Sequence, residues 1–168
     1  MKFLIVVDMQ NDFISGSLGS EDAINIVPRV VEKVKSYQGK VIFTRDTHYE
    51  NYLETQEGKN LPVKHCVKES LGWQICNELT PYVINVVDKI TFGSVDLADK
   101  IRSFGEDIEE IELCGLCTDI CVISNAMILK SAFPETKIIV DGNLCAGVTK
   151  QSHQNALLAM KMVQVDVR

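Results

Sequence analysis

A chain of 168 residues, 46% hydrophobic and 24% charged, has the length of one domain, 1–168, with a sizeable core. Its net charge of −6 and its lack of a basic tract make nucleic acid and anionic membrane poor partners. Apolar runs such as 3-FLIVV-7 are too short to span a bilayer.

From the N-terminus, the first apolar run meets Asp8 with no small-residue cleavage site beyond it. It therefore does not read as a signal peptide, and a cytoplasmic protein is expected. Six cysteines follow, at 66, 76, 114, 117, 121 and 145. In a reducing compartment they are expected to stay free thiols.

Short apolar runs alternate with helical patterns. The runs are 3-FLIVVD-8, 40-KVIFTRD-46, 83-VINVVD-88, 109-EEIELCG-115, 137-KIIVDG-142 and 163-VQVDV-167. Most are continuous and rich in Val and Ile, as suits strands covered on both faces. Helices are predicted over 25–37, 95–104, 118–132 and 150–162. In the first, Val27, Val30, Val31 and Val34 form one stripe and Pro28 falls in the first turn. The alternation predicts an α/β fold: a three-layer, doubly wound, mostly parallel six-stranded sheet. Residues 47–80 break the rhythm as a long polar segment holding two of the three histidines. Such a segment is usually functional.

In open α/β sheets, sites form where the strands end. Here the first strand ends at Asp8, the second at Asp46 and the third at Asp88-Lys89, and the fourth leads into 114-CGLCTDIC-121. If a helix starts near Thr118, Cys121 lies in its first turn. The helix dipole would favour the thiolate there, and free N–H groups could bind an oxyanion. The plain alternative is three small core residues. A structural zinc or iron–sulfur site needs four good ligands, and no second close cysteine pair exists. A redox pair would need Cys114, which ends a strand rather than starting a helix. Asp46-x-His48 and His65 offer one carboxylate and two imidazoles, a set suited to zinc, iron or manganese. Without further context a surface histidine pair is the plainer reading.

The motifs 7-VDMQNDF-13, 86-VVDKITFGS-94, 115-GLCTDICV-122 and 137-KIIVDGNLCAG-147 occur in this order across essentially the whole chain. Together they resemble the isochorismatase-like cysteine hydrolases, and among them the nicotinamidase branch, with Cys117 where the family has Ala. The resemblance implies the isochorismatase-like hydrolase fold and a triad of Cys121 as nucleophile, Asp8 as proton shuttle and Lys89 as electrostatic partner. It implies a cis peptide before Cys117, with the backbone N–H groups of Cys117 and Cys121 as oxyanion hole. It also implies a divalent transition metal, zinc by preference, on Asp46, His48 and His65. Glu54 and Glu57 are the candidates for a fourth ligand, with Glu57 preferred. Phe13 would be one aromatic wall for a pyridine ring; for a second wall, Tyr49, Tyr52 and Trp73 are the candidates.

The implied reaction is hydrolysis of nicotinamide to nicotinate and ammonia through a cysteine thioester, within NAD salvage. The alternatives are hydrolysis of another small amide or carbamoyl compound, and a non-catalytic module that kept the fold. Isochorismate hydrolysis fits less well, because those members typically lack the cysteine. A homo-oligomer is expected by the same resemblance. His153 is expected to be structural, and Asp12 and Asp119 to hold loops through side-chain hydrogen bonds.

Overall fold

The computed structural model describes residues 1–105 and 107–168. Its centre is β1 (Lys2–Val7), whose side chains alternate between two cores. Phe3, Ile5 and Val7 face one side of the sheet, and Leu4 and Val6 face the other. A strand covered on both faces has no polar side to show, which is why this run reads as continuous hydrophobe.

Around it run β2 (Lys40–Asp46), β3 (Asn85–Lys89), β4 (Glu110–Leu116), β5 (Lys137–Ala146) and the two-residue β6 (Asp166–Val167). The strand order is β3-β2-β1-β4-β5-β6 and every pairing is parallel. The helices are the short α1 (Asn11–Ile14), α2 (Glu21–Ser36), the short α3 (Gln56–Asn60), α4 (Val95–Arg102), α5 (Ile123–Ala132) and α6 (Lys150–Met162). α2 lays Val27, Val30 and Val34 on the face that holds Leu4 and Val6. α4, α5 and α6 cover the other face through Leu97, Ile101, Leu129 and Met160. The chain order reverses direction between β1 and β4, and that switch point is where such sheets open a crevice.

Several predicted boundaries move. α2 starts four residues early because Ser20 caps it, accepting a hydrogen bond from Ala23 N–H. Pro28 therefore lies inside the helix; it is exposed, where water can serve the carbonyl that a proline cannot pair. β5 runs on to Ala146 beyond a register shift against Leu113 and Gly115. The 47–80 segment is not wholly irregular: it contains α3 and 3₁₀ turns at Tyr52–Glu54 and Thr80–Tyr82. The six cysteines are free thiols. No helix among the described residues is long and apolar enough to cross a membrane.

Gly115 joins fold and site. Its φ is 114°, and a side chain there would collide with the carbonyl oxygen of Val7 on the neighbouring strand. Gly115→Ala is expected to lower stability by at least about 2 kcal/mol, seen as a lower urea midpoint at unchanged slope.

Candidate active site and metal group

Parallel register brings the strand ends together. Asp46 pairs with Lys89 across β2 and β3, and Val7 pairs with Gly115 across β1 and β4. Asp8, the next residue after β1, has φ 47°. This left-handed turn is uncommon for a residue with a side chain. The Asp8 carboxylate accepts a hydrogen bond from Thr44 Oγ1 at 2.6 Å on one oxygen. Its other oxygen meets Lys89 Nζ at 2.6 Å. After β4 the Leu116–Cys117 peptide is cis, and a π turn over Thr118–Val122 leads into α5. That turn sets Cys121 Sγ 3.4 Å from Lys89 Nζ. Lys89 also donates to the Thr91 carbonyl at 3.1 Å and to Asp46 Oδ1 at 3.4 Å. The structure thus brings Asp8, Lys89 and Cys121 together, all but inaccessible to solvent.

Burial decides their protonation. It pushes the Cys121 thiol well up, and the Asp8 charge adds to this more than Lys89 offsets it. Burial and the Asp8 charge therefore work against the thiolate that the helix start favours. Burial also raises the Asp8 carboxyl, against the opposing ammonium of Lys89. Lys89 loses solvation by burial, yet Asp8, Cys121 and Asp46 together hold its proton more firmly than usual.

On the other side of Lys89 lies a second group. Ligand atoms of Asp46, His48, Glu57 and His65 all fall within 4.8 Å of one another. His48 Nε2 is 2.9 Å from Asp46 Oδ2 and 3.4 Å from Glu57 Oε1. His65 Nε2 is 3.5 Å and 3.7 Å from the same two atoms. His65 Nδ1–H donates to the Val63 carbonyl at 2.8 Å, which leaves the Nε2 lone pair facing the group. Two carboxylates and two imidazoles with converging ligand atoms fit a divalent transition ion. Of the two glutamates, Glu57 joins the group, placed there by α3; Glu54 does not.

Residues not singled out from sequence build the surroundings. Gln10 clamps Asp46, accepting from its N–H at 2.7 Å and donating to its carbonyl at 2.8 Å. Asn125 donates to the carbonyls of Cys121 and Phe92 and accepts from Ser94 N–H, tying the Lys89 loop to the Cys121 turn. Asp12 accepts from Cys66 N–H at 2.7 Å, and Asp119 accepts from Val148 N–H, so both hold loops as expected. His153 shares a hydrogen bond with Thr118.

One pocket joins the two groups. Its space, about 330 Å³ counting the part open to solvent, is lined by Asp46, Glu57, His65, Cys117 and Cys121 together with apolar side chains. Phe13 forms one wall, its ring 5.5 Å from that of His65. The second aromatic on the pocket is Phe92, which displaces all three candidates drawn from the sequence. Tyr49 is exposed, Tyr52 is buried behind the imidazoles, and Trp73 stacks under Arg45. Phe92 sits within 86-VVDKITFGS-94; its carbonyl is held by Asn125, and its ring stays partly exposed at the pocket's edge.

The pattern of an isochorismatase domain matches residues 2–168, and the chain belongs to that family of α/β hydrolases. Among its relatives is a nicotinamidase of Saccharomyces cerevisiae, 28% identical over 84% of this chain and 87% of the relative. A nicotinamidase of Escherichia coli is 26% identical over 95% and 89%. A pyrazinamidase of Pyrococcus horikoshii, solved in complex with zinc, superposes with a TM-score of 0.86 at 25% identity, covering 99% of this chain and 98% of its own.

Burial lowers the His48 pKa, but Asp46 and Glu57 outweigh it and lift the value to about 9. The metal-free protein therefore carries a proton on His48 at pH 7, and an ion must expel it. Zinc titration calorimetry at pH 7, in buffers of different ionisation enthalpy, should show about one proton released per ion. Affinity should weaken as pH falls from about 9.

Proposed function

We propose that this chain hydrolyses nicotinamide to nicotinate and ammonia, with Cys121 as nucleophile. The observation that carries the reading is the single buried ammonium of Lys89. It touches the Cys121 sulfur and the Asp8 carboxylate on one side and the Asp46 carboxylate of a four-residue ligand group on the other. The curated nicotinamidase relatives and the family membership support it.

The thiol of Cys121 passes its proton to Asp8 as sulfur attacks the carboxamide carbon. Lys89 stabilises the negative charge that develops on sulfur before the C–S bond forms, and the carboxylate of Asp8 once ammonia has taken its proton. The backbone N–H groups of Cys117 and Cys121 serve as the oxyanion hole. The C–N bond then breaks and ammonia leaves with the proton from Asp8. A water molecule, losing a proton to Asp8, attacks the thioester; the C–S bond breaks and the proton returns to sulfur. Phe13 and Phe92 hold the ring. Asp46, His48, Glu57 and His65 would hold a divalent transition ion, zinc by preference. When bound, that ion supplies a Lewis-acidic position for the pyridine nitrogen.

The chain is also proposed to assemble with itself. Val95 is exposed on α4 and lines an apolar groove with Met127 and Ile128 of α5. Light scattering at micromolar concentration should give a mass above that of one chain, and a monomer would remove this reading.

Ammonia release from nicotinamide by zinc-replete protein tests the activity. Cys121→Ala should lose at least about 10³-fold in kcat. His48→Ala should lose about 10²-fold in kcat/KM, because the ring is no longer held. Full activity in His48→Ala would break the link between ring and ion. An inert wild type would remove nicotinamide as substrate.

A further inference from the structure

The reaction pocket is not closed on every side. A second apolar space of about 1090 Å³, partly open to solvent, adjoins it. The two share Phe13, Leu18, Leu61, Cys117 and Ile120, so these five residues border both spaces. None of the four metal-group residues lines the second space, and neither does Asp8, Lys89 or Cys121. Among the described residues no charged side chain lines it either; Ser17 and Ser20 carry the polar groups. Ala23 and Leu116, both buried, also line it, while Ser17 and Val148 lie exposed beside it.

This arrangement bears on substrate size. Within the reading above, the ring nitrogen faces the Asp46–His48–Glu57–His65 group and the carboxamide carbon faces Cys121. Both of those directions end at buried polar groups. A ring held so would turn its remaining edge towards Phe13, Leu18 and Ile120, which border the apolar space as well. A substituent there would meet mostly hydrocarbon and no charged side chain, so entry would remove apolar surface from water at little desolvation cost to the protein.

We infer that the groove beyond Phe13, Leu18, Leu61, Cys117 and Ile120 is a substrate subsite for an apolar ring substituent. The chain then accepts nicotinamide-type carboxamides that carry a hydrophobic group on the ring, and not the bare ring alone. Hydrophobic sites discriminate by roughly 10- to 200-fold for small changes in apolar contact, which sets the scale of the effect. Ser17 and Val148 are specificity-determining positions, because they border the groove and do not line the reaction pocket.

The test uses zinc-replete enzyme and three compounds: nicotinamide, and nicotinamide bearing a phenyl group at one or the other ring carbon remote from the carboxamide. Wild type should hydrolyse at least one phenyl compound with kcat/KM within about 10-fold of nicotinamide. Val148→Trp and Ser17→Trp fill the groove from its exposed side. Each should cut that compound by about 10-fold or more while leaving nicotinamide within about 2-fold. Nicotinamide turnover by the variants also reports that they fold. Turnover of nicotinamide without either phenyl compound overturns the subsite alone. Equal losses on all compounds in both variants overturn it as well. A wild type inert on all three removes the nicotinamide reading and the subsite with it.

Discussion

A buried ammonium is costly unless anions surround it, and Lys89 is surrounded. Asp8 lies at 2.6 Å, Asp46 at 3.4 Å and the Cys121 sulfur at 3.4 Å. Each of those neighbours is itself buried and would be unstable without a partner. The three strand ends and the π turn are therefore mutually dependent. Removing Lys89 would leave the Asp8 carboxylate without a counter-charge in a nearly dry site, and removing Asp8 would leave the ammonium with Asp46 and the Cys121 sulfur alone. The same charge pattern gives the proposed chemistry its direction. A carboxylate raised by burial can take a proton from a thiol that burial has also raised, and the ammonium holds whichever of them is negative.

The sheet supplies the precision this needs. Side chains placed at the ends of parallel strands inherit the register of the ladder, so the Asp46–Lys89 pairing is set by backbone hydrogen bonds. Cores on both faces fix β1 between them, and Asp8 follows directly. The crevice opens between β1 and β4 because the connections leave those strands towards opposite faces. Gly115 lets the two backbones approach at that point, and Gln10 carries Asp46 on two hydrogen bonds rather than leaving its position to the loop.

The metal group is assembled differently. Only Asp46 stands on a strand; His48, Glu57 and His65 come from the polar segment that follows it. That segment is tied down piece by piece. His48 exchanges backbone hydrogen bonds with the Cys66–Lys68 stretch, and Asp12 reaches across to Cys66 N–H. Tyr52 packs its ring behind both imidazoles and anchors its hydroxyl on the Leu61 carbonyl. A long loop is thus given the stiffness that a ligand set requires. Asp46 belongs to both groups, which couples the charge of the ligand set to that of the triad.

The strands, their order along the chain and the residues at their ends were legible in the sequence, because hydrophobic periodicity and local motif spacing are properties of neighbouring residues. Asp8, Lys89, Cys121, Asp46, His48 and His65 could be named as candidates that way, and the family resemblance supplied their expected roles. Other features depend on contacts between distant segments. Glu57, the glutamate preferred from the sequence, reaches the ligand group only once the segment after β2 folds His48 and His65 beside it. Phe92 rather than a tyrosine borders the pocket on a loop whose backbone Asn125, far along the chain, holds in place. Whether Cys121 rests as thiol or thiolate could not be read locally either. The helix start argues for one and burial beside a carboxylate argues for the other, and only the folded chain sets how much water remains. Sequence thus determined which groups are present and on which elements. Tertiary structure decided which of them meet and in which protonation state, since distance and desolvation exist only after the chain has folded.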